Sequence, residues 1–114
     1  MVRRITLVKR SATVTEEEFL RHWREQHAPI VCQAVGLRGY RQTRFLDAPD
    51  DLGWSGMGEM WFDSLAQANA AFATEPLGSE LLSDSRRFLE RWCPMLVEEY
   101  VVRGGADPAA PAGR

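Results

Sequence analysis

Alternation opens the chain. Ile5, Leu7 and Lys9 interleave with Thr6, Val8 and Arg10, which predicts a first strand over 3–10. The period then changes. Thr15 is followed three residues later by Glu18, a capping-box spacing, so a helix is expected to start there. At about 100° per residue, Phe19, Trp23, Gln26 and Ile30 gather on one side and Arg21, Arg24 and Glu25 point away. Pro29 removes a backbone donor and disfavours a helical Ala28, so the helix should kink or pause at His27-Ala28. A last turn is expected to reach Val35, with Gly36 as its stop.

A second strand is expected over 38–46 and a third over 57–62, separated by the turn-forming stretch 47–53. Ser64 should cap a second helix with Leu65, Ala68, Asn69 and Phe72 on one face. Glu75-Pro76-Leu77-Gly78 interrupts it. A third helix should then turn Leu81, Leu82, Ser85, Phe88, Leu89 and Trp92 inward until Pro94 ends it, with a fourth strand over 95–102. Residues 104–114 are rich in Gly, Ala and Pro and read as a disordered tail behind a single domain, 1–103.

The order β-α-β-β-α-β, with its last helical region split, defines an α+β ferredoxin-like fold: a four-stranded antiparallel sheet with helices on one face. Strands two to four carry large apolar groups on both faces, as with Tyr40 and Phe45, Trp61 and Phe62, and Val97 and Tyr100. The bare face therefore needs a cover, and twofold pairing into a dimeric α+β barrel supplies one.

Composition narrows the setting. A formal charge of −2 gives no field that would gather nucleic acid or an anionic membrane. The basic opening MVRRITLVKR has too short an apolar run for a signal-peptide core, and no run is long enough to span a bilayer. A cytoplasmic protein is expected. Cys32 and Cys93 read as two reduced, packed thiols.

One stretch is more specific than topology. Glu18-Phe19-Leu20-Arg21-His22-Trp23-Arg24-Glu25-Gln26-His27-Ala28-Pro29 resembles the EthD pattern of a phenylalanine, a tryptophan four residues on, and then His-Ala-Pro. Glu59-Met60-Trp61-Phe62-Asp63-Ser64, Ser83-Asp84-Ser85-Arg86-Arg87-Phe88 and Val97-Glu98-Glu99-Tyr100-Val101-Val102 add to the resemblance. It implies a homodimeric barrel, no required metal or organic cofactor, and a small-molecule pocket between sheet and helices. Relatives on this fold include cyclases, dehydratases, decarboxylases and isomerases acting on polyketide-like or aromatic substrates. The resemblance thus implies architecture more narrowly than reaction.

His27 is the leading candidate for proton transfer, because an imidazole titrates near neutrality. The competing reading is a helix-end histidine that favours the negative end of the dipole. His22 lies about 140° away on an ideal helix, a poor partner for a shared metal. Gln26 would either bond the backbone or orient a ligand carbonyl, and Glu59 would either serve as acid or base or pair with an arginine. Tyr40 and Arg44 share a face of the second strand and could steady an enolate. Asp84 reads as support for the first turn of its helix. Phe19, Trp23 and Trp61 would form apolar walls, with Phe88 and Tyr100 completing the binding surface. The combined expectation is cofactor-independent proton transfer next to a carbonyl. Its rivals are a cofactor-free monooxygenase and a non-catalytic binding module for a hydrophobic metabolite.

Overall fold

A computed structural model describes residues 1–47 and 53–104. The expected tail falls, apart from Gly104, outside the described residues, as does most of the loop after the second strand. Strand β1 (Val2–Arg10) leads into helix α1 (Glu16–His22), a π-helical turn (Trp23–His27) and helix α2 (Ala28–Val31). Strands β2 (Gly39–Arg44) and β3 (Gly56–Phe62) follow, then α3 (Leu65–Ala73), α4 (Leu77–Phe88) and β4 (Leu89–Val97). The sheet order is β2-β3-β1-β4, with every neighbouring pair antiparallel. This is the ferredoxin-like arrangement expected from the element order.

The caps follow the sequence. The Thr15 hydroxyl accepts from the Glu18 amide at 3.1 Å, and the Ser64 hydroxyl accepts from the Gln67 amide at 3.1 Å. The region around Pro29 departs from an even helix. In place of a simple kink, the chain widens into the π turn, where the Ala28 amide reaches back to the Trp23 carbonyl. A proline ring crowds the carbonyl four residues earlier and offers no N–H, and an extra residue in the preceding turn accommodates both defects.

That extra residue re-aims the helix. The buried positions are Phe19, Trp23, His27 and Val31, while Gln26, expected near the centre of the stripe, is exposed. On α3 the inward face is Ala68, Ala71 and Phe72, and Leu65 is exposed.

The largest correction concerns the end of the chain. The last helix stops at Phe88, and Leu89 turns to extended backbone at φ −113°, ψ 137°. Leu89 and Trp92 therefore belong to β4, which starts six residues before the expected 95–102 and ends at Val97. Pro94, read as a helix stop, sits inside this strand opposite Thr6. It is tolerated because β4 is an edge strand, where a missing N–H breaks no ladder on the outer side. The cysteines are unbridged as expected but not packed. Both are free and exposed, Cys32 because α2 ends just before it and Cys93 because it lies on the edge strand.

Register assigns the faces. Val2, Arg4, Thr6 and Val8 of β1 share the helix side with Gly56, Gly58, Met60 and Phe62 of β3 and with Tyr40 and Gln42 of β2. Ile5, Leu7, Met57, Trp61 and Met95 share the opposite, uncovered side. Under the helices lie two apolar clusters, one around Phe62, Val31 and Met60 and the other around Phe19, Trp23 and Phe88. Each fully buried side chain of this size contributes about 1.5–3 kcal/mol relative to exposure. Among the described residues no helix is long and apolar enough to cross a membrane.

Candidate functional site

A cavity of about 220 Å³ opens between sheet and helices where the two clusters fail to meet. Trp23 and Val8 bound it from one cluster, and Met60 and Phe72 from the other. His27, the last residue of the π turn, reaches its wall.

His27 Nδ1 lies 2.7 Å from Asp84 Oδ2, and His22 Nε2 lies 2.8 Å from Asp84 Oδ1. One carboxylate on α4 therefore holds both rings. An ionised carboxylate only accepts hydrogen bonds, so it selects the tautomer of His27 with hydrogen on Nδ1 and leaves Nε2 as a free base. The Phe88 ring packs against both imidazoles, with centroids at 4.5 Å from His22 and 5.3 Å from His27. Burial in this setting holds the His27 pKa below its ordinary value; the Asp84 hydrogen bond and charge offset part of the shift. At neutral pH the ring is uncharged and able to accept a proton.

Tyr40 projects from β2 toward the same cavity. Burial pushes its phenol up to about 12. The Gln42 amide nitrogen donates to the Tyr40 hydroxyl at 3.0 Å and to the Trp23 carbonyl at 2.7 Å, which ties β2 to the π turn. Both amide hydrogens are thereby used, and the Tyr40 oxygen is held as an acceptor. Its own hydrogen remains to donate to a bound molecule. From β1, Arg4 and Thr6 line the cavity as well.

The EthD domain family matches residues 11–91, well over half of the chain. This chain belongs to the EthD family. An EthD family protein from Bacillus halodurans C-125 superposes with a TM-score of 0.73 at 27% identity, covering 88% of this chain and 99% of that one. A hydroxynitrile lyase from Passiflora edulis is similar in fold, with a TM-score of 0.66 at 15% identity, covering 84% and 90%. So is a dimeric protein of unknown function from Bacteroides fragilis, at 0.64 and 19%, covering 86% and 95%. No curated protein matches the sequence.

In this EthD protein the fold gathers His27, Tyr40 and Trp23 at one cavity and separates the other expected site residues from it. Phe19 and Phe88 are buried behind the wall, packing ring to ring at 5.8 Å. Glu59 and Trp61 lie on the opposite side of the sheet. There Glu59 pairs with Arg3 at 3.1 Å, and Arg3 and Arg41 stack over the Trp61 ring. Arg44 sits at the rim in an ion pair with Glu16. Gln26 faces outward, and Tyr100 lies beyond β4, 76% exposed, its hydroxyl donating to Glu98. Asp84 was expected in a first helical turn, but α4 begins at Leu77 and places it deep in the helix and buried. A signal existed: an acid on the inward stripe of Leu77, Leu81, Ser85 and Phe88 needs a buried partner.

Proposed function

We propose that this EthD protein is a cofactor-independent enzyme that transfers a proton next to a carbonyl group of a small oxygenated molecule held between sheet and helices. The Asp84–His27 pair at the cavity wall carries this reading. His27 Nε2 takes a proton from the carbon beside the carbonyl, and the electron pair moves onto the carbonyl oxygen as an enolate. The Tyr40 hydroxyl donates to that oxygen, and Asp84 balances the imidazolium. The proton then returns from Nε2 to a different carbon in an isomerisation, to the departing oxygen in an elimination, or, where the enolate carbon attacks a second carbonyl of the same molecule, to the alkoxide formed in that cyclisation. The Passiflora protein, named a hydroxynitrile lyase, supports lyase chemistry as compatible with this fold.

The working form in this proposal is a homodimer that covers the bare face of the sheet. Ile5, Leu7, Met57, Trp61 and Met95 form an apolar surface there without helices above it. The Bacteroides relative is itself described as dimeric.

Deuterium incorporation from D2O into aryl methyl ketones, followed by NMR, tests the chemistry without knowledge of the natural substrate. Wild-type protein should accelerate exchange, and His27→Ala should lower the rate by about 10²-fold or more while keeping its folded spectrum. Exchange equal to buffer, or an unchanged rate in the variant, would overturn the reading.

A further inference from the structure

Arg4 stands apart from the other half-buried arginines of β1, since Arg3 has carboxylate partners and Arg10 donates to the Ser11 and Val14 carbonyls. Arg3 meets Glu59 and Glu99, Arg21 meets Glu17, Arg38 meets Asp63 and Arg44 meets Glu16. Arg4 has no carboxylate partner among the described residues. Its guanidinium lies 4.0 Å from the centroid of the Phe72 ring and lines the cavity. An arginine stays charged, so a half-buried, desolvated guanidinium without a counter-ion is costly to keep. Burial lowers its pKa, and no neighbouring charge offsets the effect.

A second group on the same strand face is also unsatisfied. The Thr6 hydroxyl oxygen is buried without a hydrogen-bond partner among the described residues, and Thr6 lines the same cavity. Two residues apart on β1, Arg4 and Thr6 point the same way, toward the helices. Among the described residues the cavity wall itself carries no acid that could serve them.

We propose that Arg4 and Thr6 form a carboxylate-binding subsite, so that the substrate is a small oxo-acid anchored on β1 with its carbonyl toward Tyr40 and His27. The planar guanidinium fork matches a carboxylate with two parallel hydrogen bonds, and the threonine hydroxyl, closed off as it stands, adds a third donor on turning about χ1 toward the cavity. Phe72 holds the fork in place by stacking on its face. A carboxylate held this way is retained through the reaction: ion pairing stabilises the charged ground state, which opposes its loss as carbon dioxide. The substrate's carboxylate is thus a handle, and the chemistry falls on a neighbouring carbon.

The position of the reacting carbonyl rests on the proton-transfer reading above, whereas the subsite itself is tested by binding alone. Calorimetry and thermal shift with benzoate, benzamide and inorganic phosphate distinguish the possibilities. Benzoate should bind and raise the melting temperature, and benzamide should bind at least tenfold more weakly. Arg4→Met should weaken benzoate binding roughly ten- to a hundredfold, the range for a lost charge-assisted hydrogen bond. The same variant, freed of an unpaired charge, should melt no lower than wild type without ligand. His27→Ala should still bind benzoate, so a failed proton-transfer reading leaves this result standing. Equal binding of benzamide, full benzoate binding by Arg4→Met, no benzoate binding by wild type, or tighter binding of phosphate than of benzoate would each overturn the assignment.

Discussion

His27 and Asp84 are 57 positions apart in sequence, and their side chains meet at 2.7 Å. The π turn closes that gap. Without the extra residue the Phe19–Trp23 stripe would carry Gln26 inward, and His27 would sit at the flank of the helix. With it, His22 and His27 fall almost one turn apart and reach the two oxygens of one carboxylate.

The pH dependence follows from the lowered His27 pKa. The unfolded chain takes up this proton near the ordinary value of 6.5, whereas the folded chain takes it up only at lower pH. Between the two values the unfolded state holds more protons. The contribution of this group to stability is therefore complete above about pH 6.5 and is lost as pH falls toward the folded pKa. As a base, His27 should give a kcat/KM that rises through an apparent pKa below 6.5 and is flat near neutrality. His22 and Asp84 face the same ring, so the kinetic value belongs to the group and ¹⁵N NMR of the His27 ring locates the proton. A limb centred above 6.5 would show that Asp84 outweighs burial.

Asp84→Asn keeps the side-chain shape but replaces an acceptor with a group that also donates. An amide N–H facing Nδ1 would move the ring hydrogen to Nε2, the atom that must accept the substrate proton. The imidazolium formed during turnover would lose its counter-charge as well. Turnover should fall by about 10²–10⁴-fold with little change in KM, since Asp84 does not line the cavity. A loss confined to KM would place Asp84 in binding instead.

Gly56 tests how closely the π turn is held against the sheet. A Cβ there would lie 2.6 Å from the Thr43 carbonyl oxygen and 2.9 Å from the Trp23 ring. The carbonyl is backbone of the neighbouring strand and has little room to retreat, and Trp23 is buried. Gly56→Ala should cost about 1–3 kcal/mol by overpacking. Thermal melting should fall by several degrees, and Trp23 displacement should change the tryptophan fluorescence. An unchanged melting temperature would mean that the sheet yields more easily than its register implies.

Most of the fold was legible because local signals agreed. The alternation of β1, the Thr15 and Ser64 caps and the turn residues all point to one topology. The end of α4 was not legible: Leu89 and Trp92 continue the apolar spacing of Leu81, Ser85 and Phe88, and nothing local marks the change to strand. Pairing with β1 decides it. At the site, His27 and Tyr40 were legible as chemistry-bearing residues on elements that face one another. Glu59 and Trp61 were expected beside them because residue type does not reveal a strand's face. Asp84, Arg4 and Thr6 were missed for a related reason: each matters through a partner, or the lack of one, supplied by a distant element.

The uncovered face of the sheet provides the last test. Leu7 lies near its centre, opposite Met57 on one side and Cys93 on the other. No helix packs on it, so a charged residue there costs a monomer little, while in a paired sheet it would be buried against a partner without a counter-ion. Wild-type protein at micromolar concentration should scatter light as twice the 12.9 kDa chain, since a stable interface needs about 800 Å² from each copy and this face sets Ile5, Leu7, Met57 and Met95 beside the Arg3–Glu59 pair with no helix above them. Leu7→Lys should shift the protein toward monomer. Because the cavity lies on the other side of the sheet, the variant's circular dichroism and benzoate binding should persist. A monomeric wild type would remove the barrel from this description. A dimeric Leu7→Lys would move the interface to another surface, and loss of benzoate binding on dissociation would mean that pairing shapes the cavity through the sheet.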